Sequence, residues 1–147
     1  GEPDVIKAMS KLQGQSTSCP NSIAQHAAKE ALIGPQTIIN EMVEIFKTRR
    51  NIIVDGLKSI NHIECDIPKG AFYVFPNISY FIGKSYKGEQ INSANDLSML
   101  LLKEKFIVTV SGESFGSLSN IRFSYATSEE IINKMLDRLS SVLSLIK

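Results

Sequence analysis

Arg122 is the side chain of this sequence best suited to bind a charged ligand. It lies in the segment Ile121-Arg122-Phe123-Ser124-Tyr125, where apolar and polar residues alternate. In a β-strand this alternation places Ile121, Phe123 and Tyr125 on one face, and Arg122 and Ser124 on the other. A guanidinium on the polar face can bind a carboxylate through two parallel hydrogen bonds, a geometry that lysine cannot reproduce. From the pattern alone, a solvated or intradomain salt bridge is the more common role of such an arginine.

Other polar residues show no arrangement that demands catalysis. Gly112 and Gly116 bracket a loop, and a connecting turn is the ordinary interpretation of such a pair. The hydroxyls of residues 16–18 precede a helix and could meet an anion, although such sequences more often cap the helix. His26 and His62 have no acid and nucleophile pattern around them, so neither is assigned a catalytic role. The sequence has no metal-ligand cluster, phosphate loop or nucleophile elbow, and we predict no metal site.

Composition and charge exclude several classes of protein for this chain. The 147 residues, 43% of them hydrophobic and 21% charged, suffice for one domain with a hydrophobic core. The net charge is +1 without a basic stripe, which argues against nucleic acid or a membrane surface as a partner. No apolar run approaches the ~20 residues of a membrane span, and no signal pattern is present. Cys19 and Cys65 lack ligand spacing; a disulfide is one alternative, and two reduced thiols in a cytoplasmic protein are the expected state.

Hydrophobic periodicity predicts helices in the first half of the chain. A short helix, a loop and a helix with a small-residue face are expected over residues 5–12, 13–20 and 22–33. Gly34-Pro35 interrupts this pattern, and a proline is favourable at a first helical position. Apolar residues at three- and four-residue steps then predict one amphipathic helix over about 36–58. Its length suggests that it bridges two parts of the structure.

The second half of the chain changes to strand-like periods. Alternation at Ile63, Cys65 and Ile67 and a β-rich run over 71–75 predict two strands, and a polar loop follows over 77–92. Four more elements are expected. They are a helix over about 94–105, a strand over 107–110, a strand over 121–126 and a final helix over about 128–146. The two helices have capping pairs at their starts, Ser93 with Asp96 and Thr127 with Glu130. The predicted fold class is α+β, a small and largely antiparallel sheet packed by helices and preceded by the long bridging helix.

Four segments, taken together and in order, resemble the C-terminal part of class I/II pyridoxal-phosphate-dependent aminotransferases of the aspartate aminotransferase kind. They are residues 11–25, residues 34–36 with 46–50, residues 68–76, and residues 110–116 with 121–128. The resemblance implies the C-terminal part of the fold-type I pyridoxal-phosphate transferase architecture. Residues 1–34 would then end the large cofactor-binding domain, and residues 35–147 would form the small domain with the bridging helix.

The resemblance also implies roles for particular residues. In the family, the arginine of the matching strand holds the α-carboxylate of the substrate, so this role falls on Arg122. The phenylalanine of the Gly-Ala-Phe-Tyr segment, here Phe72, lies near the substrate. The loop over residues 16–20 approaches the active site of a neighbouring subunit, which implies a homodimer. With this resemblance, substrate binding replaces the salt bridge as the expected role of Arg122.

Some positions depart from the family pattern. Cys19 stands where the family usually has asparagine, and Ser111 stands where it usually has proline. One branch of the family has an arginine near the position of Gly14 that binds the distal carboxylate of aspartate, and this chain has none there. An acidic substrate would therefore be recognised by other residues, or the substrate is not acidic.

The lysine that binds the cofactor in this family has no counterpart here. It occurs in a Ser-Lys context before a Gly-x-Arg motif, and none of the twelve lysines has that context. We therefore expect no catalytic and no cofactor-binding residue in this chain, with pyridoxal 5'-phosphate bound mainly by upstream residues and the chain alone inactive.

The predicted function is that of a C-terminal piece of an aspartate aminotransferase. The whole enzyme would transfer an amino group between an L-amino acid, aspartate by preference, and a 2-oxo acid such as 2-oxoglutarate. One alternative is another aminotransferase or a lyase of the same fold. A second alternative is a non-catalytic α+β module that binds a small molecule or a protein.

Overall fold

The N-terminal part of the chain is helical in the computed structural model, which describes residues 1–147. Helix α1 spans Pro3–Ser16 and α2 spans Ser22–Ile33. The Asn21 side chain caps α2, because its oxygen accepts hydrogen bonds from the first backbone N–H groups of that helix. The boundaries of α2 agree with the prediction. No residue of α1 or α2 is buried within the chain.

The loop predicted over residues 13–20 is shorter than expected. Residues 13–16 still belong to α1, so the helix passes through Gly14, and Ser18 adopts a left-handed backbone conformation with φ of 62°. Helical hydrogen bonding overrides the local glycine at this point, since a single glycine costs a helix only about 1 kcal/mol.

The long bridging helix is α3, Thr37–Lys58, and it begins two residues after the proline that was expected to start it. The chain divides into two compact units, Gly1–Asn40 and Glu41–Lys147, and α3 belongs to both. Only its second half contributes buried residues, namely Ile53, Val54 and Leu57. In its first half Phe46 is half-buried and packs against the core, and five other apolar residues are exposed by 44–60%, namely Ile38, Ile39, Met42, Val43 and Ile45.

The sheet that holds Arg122 is small and antiparallel. Strands β1 (Tyr73–Val74), β4 (Val110–Ser111) and β5 (Ile121–Ser124) are arranged in the order β1-β5-β4. A separate hairpin is formed by β2 (Ser85–Tyr86) and β3 (Glu89–Gln90). Its turn residues, Lys87 and Gly88, both have positive φ, as a two-residue hairpin turn of type I′ requires.

Two helices cover this second unit. They are α4, Ala94–Lys105, and α5, Glu129–Leu143, and both pack into one core with the second half of α3 and the buried face of β5. The Ser93 hydroxyl accepts a hydrogen bond from the Asp96 N–H, as predicted for the start of α4. The α+β fold class is confirmed.

The cap of α5 was predicted one residue too early. Ser128, and not Thr127, accepts the hydrogen bond from the Ile131 N–H. Both residues carry a hydroxyl, and the backbone of Ser128 is the extended one that an N-cap needs.

Several predictions in the second half of the chain are wrong in extent or in kind, and the strands expected over 71–75 and 121–126 are shorter, Tyr73–Val74 and Ile121–Ser124. Residues 63–67 form a single β-bridge, Glu64 to Asn77, because the chain leaves α3 in a turn in which Ile63 N–H donates to Ile60 O. Residues 107–109 are outside the sheet, since the Ile107 N–H donates to the α4 carbonyl of Leu101 and completes the helix end. The polar loop over 77–92 contains the β2–β3 hairpin, which the sequence analysis missed.

No helix has the length and hydropathy needed to cross a bilayer. No three His, Cys, Asp or Glu side chains gather where a metal ion could be held.

Candidate carboxylate-binding site

The two faces of β5 differ in burial as the sequence predicts. Ile121, Phe123 and Tyr125 are only 1–2% exposed and belong to the core. Arg122 is half-buried and Ser124 is exposed on the other face. The guanidinium of Arg122 therefore projects from the face of the sheet that is not packed by the core.

Two aromatic rings contact the Arg122 guanidinium. Its Cζ atom lies 4.3 Å from the ring centre of Tyr73 and 4.5 Å from the ring centre of Phe115. Tyr73 pairs with Ser124 in the β1–β5 register, so its ring is on the same face as Arg122 and one diagonal step away. Both distances are within the range in which a cation is attracted to the face of an aromatic ring.

The Arg122 guanidinium is not neutralised by the chain. The ion pairs of the molecule are Lys47–Glu44 and Lys87–Glu104, and neither involves an arginine. Arg50 and Arg138 donate to the main-chain carbonyls of Pro68 and Lys105, whereas Arg122 makes no such bond. Within residues 1–147 the intradomain salt bridge is therefore not formed, and the N–H groups of Arg122 remain free for an external acceptor.

The loop between β4 and β5 places Phe115 over Arg122. Residues Gly112–Phe115 form a single 3₁₀ turn, and Gly116 closes it with φ of 79°. The Gly112 N–H donates to Asn120 O at 2.8 Å, and its C=O accepts from the Ser117 N–H at 3.0 Å. A Cβ atom on Gly112 would lie 2.4 Å from Asn120 O, so only glycine fits this approach.

Asn120 ties this loop to the neighbouring strand. Its Oδ1 accepts a hydrogen bond from the Ser117 hydroxyl at 2.7 Å, and its Nδ2 donates to Phe75 O at 2.8 Å. The Phe75 ring meets the Phe115 ring edge to face, with centres 6.1 Å apart. These contacts fix the position of Phe115 from two sides.

Phe72 lies beside the site but not against Arg122. Its ring centre is 4.5 Å from that of Tyr73 and 6.2 Å from that of Phe46, and its side chain is 40% exposed. Its carbonyl accepts the Tyr125 N–H at 2.9 Å, which continues the β1–β5 ladder by one residue. Sequence reasoning singled out Phe72 and missed Tyr73, the residue that makes the direct contact.

The backbone next to Phe72 is held by a buried tyrosine. The Tyr125 hydroxyl donates to Ala71 O at 3.0 Å, where Ala71 has φ of 58°. Burial raises the pKa of Tyr125, and the charge of Arg50 partly opposes that rise. The phenol therefore stays protonated and keeps its hydrogen bond in the neutral pH range.

The hydroxyls of residues 16–18 do not form the anion-binding arrangement considered for them. Ser16 ends α1, Thr17 accepts a hydrogen bond from the Gln13 side chain, and the Ser18 hydroxyl donates to Gly14 O. The N-terminus of α2 is capped by Asn21 instead. Thr17 and Ser18 thus use their hydroxyls within the first unit.

The chain offers no lysine suited to bind an aldehyde cofactor. A lysine that forms a Schiff base needs an uncharged amine, which burial produces by lowering its pKa. No lysine is buried, and ten of the twelve are exposed. Hydrogen bonds to Glu104 and Tyr86 raise the pKa of Lys87, which favours the charged form. The residues present here therefore do not fit covalent attachment of pyridoxal phosphate.

The family is shown by comparison with known proteins. The sequence profile of the family "Aminotransferase class I and II" matches residues 1–139, so the chain belongs to this family. It is 39% identical over 142 residues to an aspartate aminotransferase of Rhizobium meliloti (strain 1021), covering 96% of this chain and 35% of that protein. It is 42% identical over 142 residues to an aspartate/prephenate aminotransferase of Cereibacter sphaeroides, covering 96% of this chain and 36% of that protein.

The structural comparison agrees with the sequence comparison. The crystal structure of the aspartate aminotransferase from Rhizobium meliloti superposes with a TM-score of 0.93 at 38% identity, over 100% of this chain and 37% of that one. An alanine aminotransferase from Pyrococcus furiosus superposes with a TM-score of 0.84 at 27% identity, over 97% of this chain and 34% of that one. The chain thus spans about a third of the length of the relatives that it matches.

Proposed function

We propose that this chain is the substrate-gripping part of an aspartate aminotransferase, in which Arg122 binds the α-carboxylate of the amino acid and of the 2-oxo acid. The observation that carries the proposal is the unneutralised Arg122 guanidinium on a sheet face, 4.3 and 4.5 Å from two aromatic ring centres. L-Aspartate is the proposed amino donor and 2-oxoglutarate the proposed acceptor, on the strength of the relatives' names.

The chemistry of the guanidinium supports this assignment. An α-amino acid and the 2-oxo acid formed from it both carry the α-carboxylate, so a permanent, planar cation is a suitable common anchor. Two parallel N–H···O bonds fix both the position and the plane of the carboxylate. Arg122 thereby orients the α-carbon that must lose or gain a proton.

The whole protein would use pyridoxal phosphate, on which class I and II aminotransferases depend. When bound, the cofactor supplies the electron sink for the amino-group transfer. Since no lysine here suits its aldehyde, we assign cofactor binding and proton transfer to residues outside this chain. Residues 1–34 would complete the large cofactor-binding domain, and residues 35–147 would form the small domain.

We further propose that the whole protein is a cytoplasmic homodimer. Helices α1 and α2 have no buried residue, and their exposed apolar side chains include Met9 (59%), Leu12 (73%) and Leu32 (80%). Large apolar side chains left uncovered in this way are typical of surfaces that another polypeptide covers. Sedimentation equilibrium of the whole protein tests the proposal, and a monomer at every concentration would rule it out.

The proposed role of Arg122 is tested by Arg122→Lys in the whole protein. Lysine keeps the charge but loses the planar fork, so kcat/KM for aspartate and 2-oxoglutarate should fall by a factor equivalent to about 2–5 kcal/mol of transition-state binding. The matched control is Arg138→Lys on α5, since Arg138 donates to Lys105 O and should leave kcat/KM nearly unchanged.

A second experiment separates the alternative enzymes. A screen of amino donors and of elimination products with the wild-type protein distinguishes an aspartate aminotransferase from another aminotransferase or a lyase. Thermal unfolding of the 147-residue chain supplies the structural comparison. If Arg122→Lys unfolds early while kcat/KM of the whole protein is unchanged, Arg122 has a structural role and the proposal is wrong.

A further inference from the structure

We propose that Tyr73 and Phe115 are positioning residues for Arg122, and that their rings set the affinity of the site for a carboxylate. The inference rests on the proposed function of Arg122 and adds two residues that the family resemblance did not single out. Both rings contact the same guanidinium carbon, at 4.3 and 4.5 Å. The guanidinium lies against the ring of Tyr73 and the ring of Phe115, and the Tyr73 hydroxyl makes no hydrogen bond with Arg122, so its N–H groups stay available to a carboxylate.

A free arginine side chain loses rotamer freedom when a ligand orders it, and this cost reduces affinity. A salt bridge within the chain would hold the side chain in place, but it would also occupy the fork. Ring contacts hold the cation without occupying its donors, so the ordering cost is met before the ligand arrives.

The two rings can hold the guanidinium only if they are themselves held in place. Tyr73 is part of the β1–β5 ladder and pairs with Ser124. Phe115 ends the 3₁₀ turn that Gly112 and Asn120 hold by backbone and side-chain hydrogen bonds. Both rings are therefore fixed by structure that does not depend on Arg122.

The rings also limit the access of water to the Arg122 guanidinium. Tyr73 is half-buried, and the Phe75 ring supports Phe115 at 6.1 Å. Although Phe115 is 50% exposed, the two rings shield part of the guanidinium from water, which lowers the local dielectric and strengthens a charge-assisted hydrogen bond. Removal of one ring should thus weaken substrate binding without changing any group that takes part in proton transfer.

The test uses two ring-removing variants and two ring-keeping variants of the whole protein. Tyr73→Leu and Phe115→Leu should each raise KM for both substrates about three- to thirtyfold, with a much smaller change in kcat. Tyr73→Phe and Phe115→Tyr keep a ring and should stay within about twofold of wild type. Phe106→Leu is the matched control, because Phe106 is 78% exposed and makes no ring contact with Arg122.

A spectroscopic measurement checks the geometry apart from activity. The chain has only four arginines, so ¹⁵N-arginine labelling of the 147-residue chain gives few Nε–H signals, and Arg122→Lys identifies the one from Arg122. We expect a ring-current shift of that signal which either leucine variant reduces and either ring-keeping variant preserves. This measurement decides the matter even if one leucine variant is too unstable for kinetics.

The outcomes separate this inference from the proposed function. If Arg122→Lys lowers kcat/KM but both leucine variants leave KM and the Arg122 signal unchanged, the rings have no positioning role and the inference is wrong. If Arg122→Lys itself has no effect on kcat/KM, the proposed role of Arg122 is wrong, and the positioning role of the rings is wrong with it. Raised KM in the leucine variants with recovery in the ring-keeping variants supports both.

Discussion

At the residue scale, the charged side chains Glu104 and Arg122 of the second unit have different kinds of partner. Glu104 is satisfied within the chain, since Tyr86 Oη and Lys87 Nζ lie 2.9 and 2.7 Å from its Oε2 atom. Arg122 is instead held by rings and keeps its charge available. The first arrangement links the β2–β3 hairpin to α4, whereas the second leaves the Arg122 guanidinium without an acidic partner in the chain.

The Glu104 arrangement predicts a pH-dependent contribution to stability. Hydrogen bonds from Lys87 and Tyr86 hold the pKa of Glu104 below its ordinary value of 4.5. A lowered pKa in the folded state means that the stabilisation is complete above pH 4.5 and is lost as the pH falls through the folded-state pKa. Glu104→Gln should therefore lower the free energy of unfolding at pH 7, and the difference from wild type should shrink in acid.

Urea unfolding at several pH values measures this difference. Glu89→Gln is the control, because Glu89 is an exposed hairpin residue without an ion pair and should show no such trend. A difference between Glu104→Gln and wild type that stays constant through the acid range would show that the contact is not electrostatic.

At the scale of elements, the turn after β4 is the part on which the site depends most. Its path requires glycine at position 112, since a Cβ there would lie 2.4 Å from Asn120 O and 2.6 Å from Ser117 O. Both obstacles are backbone atoms, which cannot move aside as a flexible side chain can. The placement of Phe115 over Arg122 follows from this close approach.

Gly112→Ala should destabilise the chain by about 1–3 kcal/mol, because the backbone must shift to admit the methyl group. Gly70→Ala is the matched control: no atom lies within 4 Å of its added Cβ, so the change should stay within about 0.5 kcal/mol. Chemical denaturation of the 147-residue chain compares the two. Equal stability of both variants would mean that the turn relaxes freely and does not fix Phe115.

The elements around the site differ in how far they could be predicted from the sequence. Helix α4 was predicted with its observed boundaries, because the Ser93 cap and the leucine spacing point to the same residues. Tyr73 could have been found, since the alternation that assigns Val74 to the core puts Tyr73 on the face of Arg122. Phe115 could not, because a 3₁₀ turn has no period and its contact depends on a backbone bond to Asn120.

At the scale of the whole molecule, the two units of the chain differ in burial. Every residue of the core cluster lies at or beyond Ile53, within the second unit. The first unit contributes helices without buried residues. The relatives are about three times as long, and we propose that in the whole protein the rest of the large domain and a partner subunit together cover those helices, with the cofactor lysine outside residues 1–147.

This division predicts that the chain alone does not attach pyridoxal phosphate at one site. Its lysines are exposed or half-buried, so the aldehyde should react with several of them weakly and none should be preferred. Borohydride reduction followed by peptide mapping should find scattered labelling at low level, and the treated chain should not transaminate. One lysine labelled stoichiometrically would show that the chain has a cofactor site of its own.

The claim on which the account depends is that Arg122 binds the substrate carboxylate. The most direct measurement is a crystal structure of the whole protein with a dicarboxylate such as maleate. We predict one carboxylate of maleate paired with the Arg122 guanidinium through two N–H···O bonds of about 2.7–2.9 Å, with the rings of Tyr73 and Phe115 still against it. A structure in which Arg122 is paired with a carboxylate of the protein, and maleate is held by other residues, would contradict the account.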